Sequence, residues 1–211
     1  MEKFFKLSID KQNIIIDAAL KSFGANGYKK SSISDIATGA GISKAMIFHY
    51  FGTKKALYIY LMDLCGNILM NEFDEKFDNT VTDFFDRILL ATNIKISVVK
   101  KHPEILSFLT SMYFENDEEV KEDIKANLKK GEEFRSKITV DTSDDSKFKD
   151  GIDPQFIMKM FGWLAEGYLS QLSSKVGLDS ESLFKEFNEF NEFNKCVDLF
   201  KNNFYKEEYL S

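Results

Sequence analysis

The stretch SSISDIATGAGISKAMIFHYFGTKK, residues 31–55, decides the fold. Ile33, Ile36 and Ala37 recur at helical spacing behind the hydroxyl pair Ser31-Ser32, and Asp35 sits near the positive end of the helix they predict. Gly39-Ala40-Gly41 stops it. Ser43 is a second hydroxyl cap, and Lys44 to Tyr50 make another short helix that Phe51-Gly52 breaks. Thr53 then caps a long helix through Leu57, Leu61, Leu64 and Ile68 toward Phe77. Upstream, Ile14, Ile15, Ala18, Ala19, Ser22 and Phe23 predict a supporting helix from about Asp10 to Asn26, ended by Gly24 and Gly27.

Two short helices joined by a tight glycine turn, behind a longer one, are what a helix-turn-helix requires. Ile36, Ala37, Ala40, Ile42, Ile47 and Phe51 supply its small core. Facing outward are Ser31, Ser32, Ser43, Lys44, Ala45, Met46, His49, Tyr50, Lys54 and Lys55, the candidate DNA-contacting residues. Hydroxyls at helix N-termini with lysines beside them suit phosphate oxygens, because free N–H groups and the helix dipole already favour an anion there.

Charge divides the same way. The chain carries −6 overall, but residues 1–55 hold nine lysines against four acids, leaving −11 on the remainder. A small basic module facing a polyanion and a larger acidic body facing something else is the expectation.

The run Phe23-Gly24-x-x-Gly27-Tyr28, then Ser32-Ile33-x-x-Ile36-Ala37-x-x-Ala40-Gly41-Ile42-Ser43, then Ile47-Phe48-His49-Tyr50-Phe51-x-x-Lys54-x-x-Leu57 resembles the N-terminal signature of the tetracycline-repressor (TetR) family. The resemblance covers about the first 60 residues. It implies a transcriptional repressor that binds a palindromic operator in double-stranded DNA as a homodimer, with a helical C-terminal domain for an effector. Three positions depart from the pattern: Ala45 where glycine is usual, Phe48 in place of the first tyrosine, and Lys55 in place of an acid. Phe48 cannot bond a phosphate through a hydroxyl, so more of the contact falls to His49 and Tyr50. The only arginines, Arg87 and Arg135, lie outside the module, which leaves Lys44 as the substitute for the commonest guanine reader.

With two prolines, eleven glycines and few strand-length β-branched runs, the fold class is all-α. The division expected is a helix-turn-helix DNA-binding domain at 1–55 and an effector-binding and dimerisation domain at 56–211. In the latter, a stripe from Phe84 to Val99 ends near His102-Pro103, and a second helix holds Ile105, Leu106, Leu109 and Met112. A charged amphipathic helix covers 117–137, and 139–153 is a mobile loop. Pro154 opens a helix apolar on a wide arc through Ile157, Met160, Phe161, Leu164, Tyr168 and Leu172, flanked by Phe156, Trp163 and Gly167. The last helix, from Asp179, carries Phe184 and Phe187 away from the stripe Phe190, Phe193, Val197, Phe200 and Phe204. Two helices with spare apolar faces point to a four-helix homodimer contact, the alternative being a larger monomeric core.

The body exceeds what dimerisation needs. Met62, Cys65, Thr92, Phe108, Met112, Phe161 and Tyr168 are the candidate lining for a small apolar or aromatic effector, with Thr92 and Tyr168 as its orienting polar groups. Coupling would run through the long helix behind Thr53. The same residues also fill ordinary cores, so a regulatory or architectural DNA-binding protein without an effector stays open. Two histidines, two distant cysteines and no phosphate-binding glycine loop leave no catalytic set, metal site or cofactor to expect. No apolar run reaches membrane-spanning length and the N-terminus lacks a secretory pattern, so the expected location is the cytoplasm, away from any membrane.

Overall fold

The computed structural model describes residues 1–177, 182, 185 and 192–210. Ten α-helices run through them: α1 (Glu2–Phe5), α2 (Ile9–Lys30), α3 (Ile33–Gly39), α4 (Lys44–Phe51), α5 (Lys54–Lys76), α6 (Phe84–Lys101), α7 (Pro103–Tyr113), α8 (Lys121–Thr139), α9 (Pro154–Val176) and α10 (Glu192–Phe204). The described residues contain no strand, only two isolated bridges, so the all-α expectation holds. None of these helices is long and apolar enough to cross a membrane.

Helix ends follow the local chemistry. The Ser32 hydroxyl accepts from the Ser34 N–H, that of Ser43 from Met46 and that of Thr53 from Ala56. Asp83 and Asp153 cap α6 and α9 in the same way, with Pro154 in the first turn of α9. The supporting helix differs from its expected end. Gly24 does not stop α2; the break comes at Gly27, whose φ of 72° and ψ of 175° only glycine adopts without strain, and the helix then resumes to Lys30. Gly24 serves packing instead. A Cβ there would stand 2.5 Å from the Ser107 hydroxyl and 3.1 Å from the Phe108 backbone nitrogen, so its absence lets α2 lie directly on α7.

One core runs from the basic module into the body. Ile15, Ala19, Phe23, Ile36, Ala37, Ile47 and Phe51 share it with Leu57, Tyr58, Met62, Cys65, Phe108, Met112 and Ile124. Phe4 of α1 is sealed into it between the rings of Tyr50, Phe51 and Tyr60. Two smaller clusters lie further along: Phe73, Ala91 and Ile94 under Phe134 and Ile138, and Phe84, Phe85, Ile88, Phe148, Ile157, Phe161, Val197 and Tyr205. Arg87 is buried too, its guanidinium over the Phe77 ring and its N–H groups on the carbonyls of Ile138 and Val81.

The segment 139–153, expected as a mobile loop, is tied down. Phe148 is buried against Phe84, Phe85 and Tyr205. Lys147 meets Asp83 at 2.8 Å, and backbone bonds join Asp144 to Thr82, Lys149 to Phe204 and Lys206 to Lys147. A single large ring inside an otherwise polar stretch supplies the burial that its composition conceals. The final helix is described from Glu192, so Phe184, Phe187 and Phe190 lie outside the described residues. Phe193, Phe200 and Phe204 of α10 pack onto the Phe161 cluster as their spacing predicts.

Candidate nucleic-acid interface and effector body

The face that α4 presents is set by its own periodicity. Ile47, Tyr50 and Phe51 turn into the core, which leaves Ser43, Lys44, Ala45, Met46, Phe48 and His49 exposed along the opposite side. α3 is held beneath by Ile33, Ile36 and Ala37, and Ile42 bonds back across the turn to the Ala37 carbonyl. The Lys44 ammonium lies 5.9 Å from the Phe48 ring, so the basic group and the exposed aromatic occupy one patch. Lys29 and Lys30, both exposed, close the nearby end of α2. A short helix whose outer face carries one lysine, one histidine and adaptable apolar side chains is of the size that enters a major groove.

Four of the ten residues expected to face outward do not stand free. Ser31 is buried and donates to the carbonyls of Ser22 and Gly27, closing the break in α2. The Tyr50 ring is buried against Phe4. Lys54 stacks 4.4 Å from the centre of the Tyr28 ring and donates to the Lys29 carbonyl. Lys55 forms a 2.8 Å ion pair with Asp123 of α8. In each case a partner from a distant segment or a helix break, invisible to periodicity, claims the side chain. Ser32, Ser43, Lys44, Ala45, Met46 and His49 keep exposed or half-exposed positions.

The junction between module and body holds a residue that the sequence reading missed. Glu115, just beyond α7, accepts from the Tyr28 N–H at 2.6 Å and the Lys29 N–H at 3.4 Å through one oxygen, and from Asn116 and Asp117 through the other. The donors on α2 are the amides that the Gly27 break leaves without helical acceptors. Ser111 adds a bond to the Phe23 carbonyl. No signal in the sequence joins Glu115 to a glycine nearly ninety residues earlier. The body is thus fastened to α2 through α7, as well as to α5.

The seven effector-lining candidates are not brought together. Met62, Cys65, Phe108 and Met112 are buried in the core shared with the module, whereas Phe161 belongs to the separate Phe84 cluster. Burial pushes the Cys65 thiol up to about 12, as for a packing residue. The Thr92 hydroxyl donates to the Ile88 carbonyl, and Tyr168 is half-buried on α9. Methionines and phenylalanines serve cores and pockets alike, and composition alone does not separate the two. On the outside of α9, Phe156, Met160, Trp163 and Leu164 line an open apolar groove with Phe200 of α10, and Trp163 is 58% exposed. The described residues contain no cluster of His, Cys, Asp and Glu arranged to hold a metal ion.

Known proteins resemble this chain in two different ways. Residues 15–61 match the family model "Bacterial regulatory proteins, tetR family". The HTH-type transcriptional regulator YuxN of Bacillus subtilis, itself uncharacterized, is 34% identical over 122 residues, 58% of this chain and 35% of that protein. The chain therefore spans about a third of that relative's length. Among solved structures, a TetR family transcriptional regulator from Chloroflexus aurantiacus superposes with a TM-score of 0.68 at 20% identity, covering 98% of this chain and 99% of the other. AibR, solved in complex with isovaleryl coenzyme A and operator DNA, gives 0.60 at 16% identity over 84% and 95% of the two chains. The family model covers residues 15–61, whereas likeness of fold extends over 98% of the chain.

Proposed function

We propose that this chain, which belongs to the TetR family by its N-terminal module, is a transcriptional repressor that binds operator DNA and lets go of it when a small molecule enters the body. The observation that carries the reading is the exposed face of α4, where Ser43, Lys44, Met46, Phe48 and His49 stand out from a helix whose other side is locked into the core. Residues 1–55 act as the DNA-binding domain and 56–211 as the effector-binding and dimerisation domain. Lys44 and His49 read base edges; Ser32, Ser43, Lys29 and Lys30 meet phosphates. The same fold in AibR is found with operator DNA and an acyl-coenzyme A, which supports a body that takes a small molecule.

Two copies pair through α9 and α10, because Phe156, Trp163, Leu164 and Leu199 are exposed there and a lone chain gains nothing by exposing them. Pairing places two α4 faces on successive major grooves of an inverted repeat. The protein reads DNA and carries out no catalytic step. A second reading, a DNA-binding regulator or architectural protein without an effector, is favoured by the packing of Met62, Cys65, Phe108 and Met112 as plain core.

Fluorescence anisotropy with DNA flanking the chain's own gene tests the main reading. The expected result is tight, salt-sensitive binding by wild type that Trp163→Glu weakens together with the sedimentation coefficient. A monomeric wild type that binds as tightly as a dimer overturns the assembly.

A further inference from the structure

Base pairs are commonly told apart in the major groove by Arg or Lys on guanine and by Asn or Gln on adenine. Residues 31–55 contain no arginine, asparagine or glutamine. The exposed side of α4 offers two polar heads, Lys44 and His49, and three apolar side chains, Ala45, Met46 and Phe48. At its start, the Ser43 hydroxyl accepts from the Met46 N–H at 3.3 Å and serves the helix end. Both departures from the family pattern within α4 run the same way: Ala45 adds a methyl and Phe48 removes a hydroxyl.

The placement of these side chains points to what they meet. At about 3.6 residues per turn, Ala45 and His49 lie one above the other, opposite the buried Ile47, and Phe48 and Met46 flank them on either hand. Met46 is 37% and Phe48 40% exposed, so neither is used up by the module's own core. Ala45 is small at the middle of the ridge, which lets the flanking side chains approach a groove floor. The Lys44 ammonium lies 5.9 Å from the Phe48 ring centre, which sets a hydrogen-bond donor beside an apolar ring. Thymine carries the matching pair on its major-groove edge, the O4 acceptor and the C5 methyl group. Guanine presents two acceptors and no methyl, which answers Lys44 and leaves Phe48 without a partner.

We propose that Phe48 and Met46 are specificity-determining residues that recognise thymine by its methyl group, so that the preferred half-sites carry thymine opposite α4. The assignment rests on the reading of α4 as the DNA-contacting helix and adds which feature of the base pair it selects. Lys44 and His49 supply hydrogen bonds, and Phe48 and Met46 discriminate A·T from G·C pairs.

Uracil in place of thymine removes the methyl group and keeps the base pairing. A duplex that the full chain selects from a random library is remade with deoxyuridine at one position of each half-site at a time, and binding is followed by fluorescence anisotropy. At the thymines opposite α4, wild type should lose about fourfold in affinity per methyl removed, as for exposing about one buried CH₂ group. Uracil in the flanks of the duplex should change nothing. Met46→Ala or Phe48→Ala should bind the thymine and uracil duplexes alike at the position which that side chain covers. Both variants should melt as wild type does, because both side chains are exposed. Should a variant bind too weakly to compare, the wild-type pattern decides alone. Three results overturn the proposal: selected half-sites without thymine, uracil that leaves wild-type affinity unchanged or lowers it equally at every position, and methyl sensitivity that survives in both variants. A wild type that selects no shared sequence takes the regulator reading down with it. A selected repeat insensitive to uracil removes this inference and leaves that reading standing.

Discussion

The basic module and the acidic body are built on opposite principles. In the module the two short helices α3 and α4 are each defined by residues a few positions apart: a hydroxyl cap, an apolar pair and a glycine stop. Its exposed face is what remains when that local core has been subtracted. In the body, helices are just as regular, but what each side chain does depends on partners far away in sequence, as with Arg87 on the Ile138 carbonyl or Phe148 against Tyr205. The module is thus a local object and the body a non-local one, and the two are joined by a core that belongs to both.

The largest expected effect comes from attacking that shared core. Phe108→Ala removes a ring buried against Tyr58 and should cost about 3–5 kcal/mol in a denaturant melt. DNA binding should fall with it at temperatures where the variant melts. A Phe108→Ala protein as stable as wild type would separate the module from the body after all.

Next come the glycines where α2 meets α7. Gly24→Ala drives a methyl into Ser107 and toward the Phe108 backbone, and Gly27→Ala forces a side chain into a glycine-only conformation beside Glu115. Each should destabilise by about 1–3 kcal/mol. Calorimetric melting checks this, and an unshifted Gly24→Ala would refute the close approach.

These positions also show how much was legible. Helices α2, α3 and α4, the hydroxyl caps of α3, α4 and α5, and the α4 face follow from spacing within about a dozen residues, so the sequence yields them directly, whereas the short α1 is not among them. The motif even contains both glycines, but it cannot say that Gly24 is small for the sake of α7 or that Glu115 answers the amides at Gly27. Lys54 and Lys55 illustrate the same limit from the other side. Next to a basic helix they look like phosphate contacts, and one stacks on Tyr28 while the other pairs with Asp123. In the body, apolar periodicity locates helices but does not distinguish a pocket wall from a core, which is why the effector candidates divided between two clusters.

A third perturbation touches the module's function and leaves its fold alone. Lys44→Ala or His49→Ala should lower affinity for the preferred DNA by about 1–3 kcal/mol at particular base pairs. Each should change folding stability by less than about 0.5 kcal/mol, because both side chains are exposed. Equal losses on preferred and random duplexes would move that side chain to the phosphate backbone.

The smallest effect belongs to the body's surface. Hydrogen bonds from Lys76 and Lys101 hold the Glu72 carboxyl down to about 2. A lowered folded-state value contributes stability at pH values above the ordinary glutamate range, and that contribution is lost as pH falls through about 2. Glu72→Gln should therefore be slightly less stable than wild type at neutral pH and converge with it toward pH 2. A gap that stays constant down the titration would mean that Glu72 acts by packing alone.

The most direct test of DNA reading by α4 is selection of bound duplexes from a random library, followed by sequencing, for wild type and for Lys44→Ala. The expected outcome is enrichment of an inverted repeat with half-site centres about one helical turn apart or a little more, and altered preference at particular base pairs in the variant. Recovery of duplexes with no shared sequence, or of the same repeat with unchanged preference from Lys44→Ala, would contradict the claim that the α4 face reads DNA.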